Sequence, residues 1–185
     1  MKKILFPLVL SLILILSACS AAGGDTVYTF SEEDGYGLAG MEYGGSVEEL
    51  NKVLGCTLSD TEGVIGTSEP DDGVFIGEIT EFLGTKGYFD AQFTDGDTGF
   101  YSVTFHTNSN YGDPEATFEE LRDTYTKAFG EPDITGAEGL AEPDTIIERL
   151  RWEHEASNSM FELRLVGSEE NLGLLVGLAN VSALQ

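Results

Sequence analysis

Tyr88-Phe89-Asp90-Ala91-Gln92-Phe93-Thr94-Asp95-Gly96-Asp97-Thr98-Gly99-Phe100-Tyr101-Ser102-Val103-Thr104-Phe105 is the stretch whose pattern decides the fold. Phe89, Ala91 and Phe93 alternate with Tyr88, Asp90, Gln92 and Thr94, and Tyr101, Val103 and Phe105 alternate on the return. Two runs of period two around the turn residues Asp95 to Gly99 predict a β-hairpin with one apolar face. The other face is expected to carry Tyr88, Asp90, Gln92, Phe100, Ser102, Thr104 and His106. Aromatic residues dominate binding hot spots, so Tyr88, Phe100 and His106 are candidate partner-binding residues unless a neighbouring element covers them.

Working outward, a helix is expected on each side of this hairpin. Before it, Ser46-Val47-Glu48-Glu49 is a capping box, Val47, Leu50 and Leu54 recur at helical spacing, and Gly55 ends the run. Val74 to Leu83 then reads as strand. After it, Asp113-Pro114 supplies an N-cap and a first-turn proline, Phe118, Leu121, Tyr125 and Phe129 form an apolar stripe, and Gly130 with Pro132 closes it. Three strands follow over Ile146–Glu155, Met160–Val166 and Leu172–Val181, the last apolar on both faces and therefore central in a sheet. The expected fold class is α+β, in two tandem helix-plus-antiparallel-sheet modules, roughly α-β-β-β twice, over 41–112 and 113–185.

Three of the four arginines fall on one expected strand face. Leu150 and Trp152 point one way, which sends Arg149, Arg151 and Glu153 the other; Phe161, Leu163 and Leu165 likewise send Glu162 and Arg164 outward. A turn at Ser157-Asn158 would set Arg151 opposite Arg164 and Glu153 opposite Glu162. Read plainly, these residues form a solvated lattice of ion pairs; read functionally, the arginines accept a partner's carboxylate or phosphate.

The chain opens with Lys2-Lys3 and an apolar run from Ile4 to Leu16, too short for the roughly 20 residues of a membrane span. Residues 1–18 therefore read as a signal peptide. Leu16-Ser17-Ala18-Cys19 resembles the lipobox of bacterial lipoproteins, and the resemblance implies cleavage after Ala18, lipidation of Cys19 and an extracytoplasmic domain anchored to a membrane through its lipid. Residues 19–40 are then a lipidated tether and glycine-rich lead-in. Without Lys2 and Lys3 the chain keeps seven basic residues against 33 acidic ones, a net charge of −26 that repels phosphate backbones and excludes nucleic acid as a partner. Eleven Phe and seven Tyr are enough for a packed core. With Cys19 lipidated, Cys56 has no disulfide partner.

Chemistry-bearing motifs are few. Gly35-Tyr36-Gly37-Leu38-Ala39-Gly40 matches the dinucleotide fingerprint in letters, but the acidic run Ser31–Asp34 precedes it and the next helix start is Ser46, so it reads as a loop. Asp95 and Asp97 have the spacing of the first two ligands of a calcium loop, which Asp71 and Asp72 would have to complete. His106 and His154 lack zinc-ligand spacing, and no serine has a nucleophile-elbow setting. The element order resembles two exported groups, the β-lactamase inhibitory proteins and the small lipoproteins of the outer-membrane barrel-assembly machine. That resemblance implies protein binding through a sheet face or loops, without catalysis; no cofactor is expected. The expectation is a non-catalytic adaptor or inhibitor lipoprotein with an envelope or surface protein partner; a lipoprotein that binds a cation or small solute is the alternative.

Overall fold

The computed structural model describes residues 27–60, 73–136, 145–168 and 171–180. Cys19, Asp71 and Asp72 lie outside them. In chain order the elements are β1 (Tyr28–Ser31), β2 (Gly35–Leu38), α1 (Val47–Leu54), β3 (Leu58–Asp60), β4 (Gly73–Gly77), β5 (Thr80–Phe82), β6 (Thr85–Asp95), β7 (Thr98–Asn108), α2 (Pro114–Phe129), β8 (Ile134–Thr135), β9 (Ile146–His154), β10 (Ser159–Ser168) and β11 (Asn171–Asn180). The expected strand from Val74 to Leu83 is two strands, β4 and β5, interrupted at Glu78-Ile79.

One continuous sheet stands where two tandem helix-plus-sheet modules were expected. Strand makes up 55% of the described residues and helix 19%, and a single antiparallel sheet in the order β3-β4-β6-β7-β11-β10-β9-β8, with β5 paired to β6, runs through both halves. β7 pairs with β11 from Asn108↔Gly173 to Ser102↔Ala179, across the boundary placed between residues 112 and 113. The reason lies in β11. A strand that is apolar on both faces gains most from a partner on each side, and β7 and β10 supply them.

One face of the sheet carries the core. Phe89, Phe93, Phe105, Leu150, Trp152, Phe161, Leu163, Leu174 and Val176 point to it and are buried. Phe118, Leu121 and Tyr125 of α2 cover it, with Tyr125 and Phe161 ring centroids 4.4 Å apart, and Leu50 of α1 and Tyr28 and Tyr36 of the β1–β2 hairpin belong to the same cluster. The helix ends follow their sequence signals. Glu49 N–H donates to Ser46 Oγ and Ser46 N–H to Glu49 Oε2, Gly55 caps α1 at φ +68°, and Ala116 N–H donates to Asp113 Oδ1 at the start of α2. Trp152 Nε1–H donates to Gly130 O at 2.8 Å, tying the end of α2 to β9.

The glycine-rich stretch that matches the dinucleotide fingerprint is mostly strand. Gly35 closes the turn between β1 and β2 at φ +74°, and a side chain there would collide with Ser157 and Ser159. Tyr36 N–H donates to Ser159 Oγ, so the small hairpin is pinned to the β9–β10 turn. A strand occupies the place where a phosphate-binding helix would have to begin.

Candidate functional site: the outer face of the sheet

Both helices pack on the core face; on the opposite face Tyr101, Arg149 and Ala179 are buried and most other side chains are half-buried. Strand register fixes its rows. One row runs Tyr88, His106, Leu175, Arg164, Arg149, and the next runs Ile76, Asp90, Thr104, Gly177, Glu162, Arg151, Ile134. The surface thus has an aromatic and acidic side on β6–β7, an apolar centre of Leu175, Gly177 and the buried Ala179 on β11, and a charged side on β9–β10.

On the first side, His106 Nε2 lies 2.8 Å from Asp90 Oδ2, and the Tyr88 ring stacks on the imidazole at 4.8 Å and 5°. Burial, then the Asp90 charge, pushes the Tyr88 hydroxyl pKa upward. Phe100, expected beside them, is instead in the core and only 2% exposed. The cause is a bulge: Gln92 pairs with Ser102 but Phe93 pairs with Phe100, so Tyr101 is the extra residue. Phe100 joins Phe93 inside, and the Tyr101 hydroxyl donates to Gln92 Oε1 at 2.9 Å. Tyr88 and His106 keep their places on the outer face.

On the other side, the expected register is off by two residues. The turn takes Glu155 to Asn158, with Asn158 at φ +53°, so Arg151 opposes Glu162 and Arg164 opposes Arg149. A shift of two preserves which face each side chain occupies. The opposed arginines share one carboxylate: Arg149 Nε–H donates to Glu162 Oε2 at 2.7 Å, and Arg164 Nε lies 2.6 Å from Glu162 Oε1. Arg149 is 2% exposed, and the Glu162 side chain 13%. Arg151 Nε is 3.0 Å from Glu153 Oε1, within ion-pair reach but out of line for a hydrogen bond.

The other candidates are placed apart from this face. Asp95 and Asp97 flank Gly96 at the exposed β6–β7 turn, and the described residues contain no group of three His, Cys, Asp or Glu placed to hold a metal ion. Cys56 is half-buried, which raises its thiol pKa and favours the inert form. His154 Nδ1 is 2.8 Å from Ser157 Oγ, which is 2.8 Å from Ser159 Oγ, a chain that sequence spacing did not disclose. The backbone of Gly35 lies against these hydroxyls, so the chain serves as a fastening for the β1–β2 hairpin. The central residues Leu175 and Gly177, half-buried on this face, were also missed; their spacing of two was the available signal.

No helix among the described residues is long and apolar enough to cross a membrane. No family model matches the chain, and no curated protein or solved structure matches it.

Proposed function

We propose that this chain is an exported lipoprotein, anchored through Cys19, that works as a non-catalytic binding module and presents the outer sheet face to a protein of the envelope or cell surface. The observation that carries this reading is the face itself. A row-ordered sheet surface keeps Tyr88, His106, Arg151 and Arg164 partly exposed, while both helices pack on the other side. Large, planar, amphipathic side chains around a flat centre suit protein contact, where Tyr and Arg are over-represented among the residues that matter. The lipobox supplies the address, and two or more acyl chains hold a protein stably at a bilayer.

Crosslinking in the native membrane, followed by affinity capture of the lipidated protein and mass spectrometry, tests both parts. One protein recovered in near-equal amount, and lost from Arg151→Glu/Arg164→Glu, is the expected result; the same recovery from the double variant sinks the sheet-face assignment. Cys19→Ser should move the protein out of the membrane fraction.

A second reading has one observation in its favour. A cavity of about 450 Å³ lies between the β1–β2 turn and Tyr43, lined by Phe30, Met41, Glu33, Asp34 and Glu42 among others. Aromatic and carboxylate walls together suit an organic cation. A rise in melting temperature with millimolar choline, absent in Glu42→Gln, would support solute binding; no shift would remove it.

A further inference from the structure

Arg122 shows how this protein treats an arginine it keeps for stability. On α2, both terminal guanidinium nitrogens bond to Glu119, Asp123 lies 3.6 Å from Nε, and Glu148 lies 3.8 Å from Nη1. Three carboxylates surround one fork. Arg151 and Arg164 are treated differently. Each comes nearest a carboxylate at Nε, of Glu153 and Glu162 respectively, and the terminal nitrogens of neither donate a hydrogen bond to a described residue. In a chain with 33 acidic residues, nothing described turns to cap them.

The register places the two forks side by side. Arg151 faces Glu162, and Arg164 lies two residues further along β10, so the arginines are diagonal neighbours with Cα atoms about 7–8 Å apart. Glu162, held between Arg149 and Arg164, braces the cluster from within. The terminal edge of a guanidinium matches a carboxylate through two parallel N–H···O bonds. The side chains of Arg151 and Arg164 are 22% and 32% exposed, accessible yet restrained.

The geometry points to a carboxylate-acceptor site formed by Arg151 and Arg164: the protein that docks on the outer face inserts one aspartate or glutamate side chain between their free guanidinium edges. This rests on the proposed docking function and names the chemistry of its contact. Charge favours a monoanion: in so acidic a molecule, one carboxylate brings less repulsion to the arginines than a phosphate dianion does. The same field repels an acidic partner surface as a whole, so the inserted carboxylate stands alone on a surface that is otherwise neutral or basic.

The test uses the full chain, uniformly labelled with nitrogen-15, in detergent. Four arginines give four side-chain Nε–Hε signals, assigned by single Arg→Lys variants. Sodium acetate, sodium chloride and sodium phosphate are titrated at constant ionic strength. The Arg151 and Arg164 signals should move saturably with acetate at millimolar midpoint while Arg122 stays still, and Arg164→Lys should raise the midpoint about tenfold by removing one fork. Signals that follow chloride as they follow acetate, or four signals moving together, overturn the site. So does phosphate saturating at lower concentration than acetate. The docking reading fails separately: saturable acetate binding with no crosslinked partner overturns docking alone, and a captured partner indifferent to Arg151→Lys/Arg164→Lys overturns the site alone.

Discussion

The two faces of the sheet use the same strands for opposite ends. On β10, Phe161, Leu163 and Leu165 point inward and are buried against α2 and the β1–β2 hairpin, while Met160, Glu162 and Arg164, one residue away in each case, point outward and remain partly exposed. The inner face is closed by aromatic contacts in several directions: Phe161 alone meets Tyr28, Tyr125, Phe129 and Trp152. Its energy comes from removing apolar surface from water and from close packing, which are non-directional and collective. The outer face is held by a few directed charge contacts and leaves guanidinium edges unused. One face is finished by packing among the described residues, and the other keeps many of its side chains half-buried.

Truncation of the inner face should break the contrast most visibly. Phe161→Ala or Trp152→Ala should cost about 3–5 kcal/mol, and Met160→Ala on the outer side of the same strand no more than about 1.5 kcal/mol, read from denaturant unfolding. Equal losses would mean that the outer face is as well packed as the inner one. The next largest effect tests the one place where the outer face resembles a core. Glu162→Gln leaves the buried Arg149 short of its carboxylate, and breaking a buried pair from one side costs about 3 kcal/mol; Arg149→Met/Glu162→Leu should recover most of it. A double variant as weak as the single one would show that packing, and not charge, holds that corner.

Much of this was legible, and the exceptions share a cause. Period-two alternation identified the core faces of β6, β7, β9 and β10, and the capping box, Asp113 and the closing glycines located both helices, because those signals depend on residues within a few positions of each other. The Phe100-Tyr101 pair defeated alternation, since two adjacent aromatics fit the inward position equally well and only the partner strand shows which is the bulge. The arginine register slipped by two because Glu155 and Ala156 carry no turn signal of their own. The β7–β11 pairing joins residues more than 60 apart and has no local signature, so two modules were expected where one sheet exists. On the candidate site, Tyr88, His106, Arg151 and Arg164 were legible as outward residues. The bidentate bonding of Arg122, which Arg151 and Arg164 lack, was not, because it depends on rotamers.

A smaller effect, with the opposite sign, comes from a flaw on the inner face. The Tyr125 hydroxyl is buried without a hydrogen-bond partner, and burial drives its pKa well above the ordinary range. Tyr125→Phe removes an unsatisfied polar group while keeping the ring against Phe161, so the protein should gain about 1 kcal/mol. The gain should widen in alkali. A tyrosine whose folded pKa is raised stabilises the fold fully below its unfolded pKa near 10 and loses that contribution as pH rises through the folded value. Tyr36, pushed up to about 12 by burial and then by Asp133, adds a window between about pH 10 and 12 in which wild-type stability falls. Chemical unfolding followed across that window should show the Tyr125→Phe curve lying above the wild type and separating from it; coincident curves would mean the hydroxyl is satisfied in solution.

The smallest expected effect bears most directly on function. Arg151 and Glu153 lie two residues apart on β9, 22% and 38% exposed, at a distance and angle that give an ion pair without an aligned hydrogen bond. A partly exposed pair with no aligned hydrogen bond contributes less than about 1 kcal/mol, so a double-mutant cycle with Arg151→Met and Glu153→Met should return a coupling of at most a few tenths of a kcal/mol, shrinking further at high salt. That near-zero value matters because it removes stability as the reason for Arg151. The side chain loses rotamer freedom at the surface, and the contact it makes in return is too weak to offset that cost. A coupling above about 1.5 kcal/mol would place Arg151 with Arg122, as a charge the fold needs for itself, and the contrast between the finished inner face and the outer one would lose its sharpest residue.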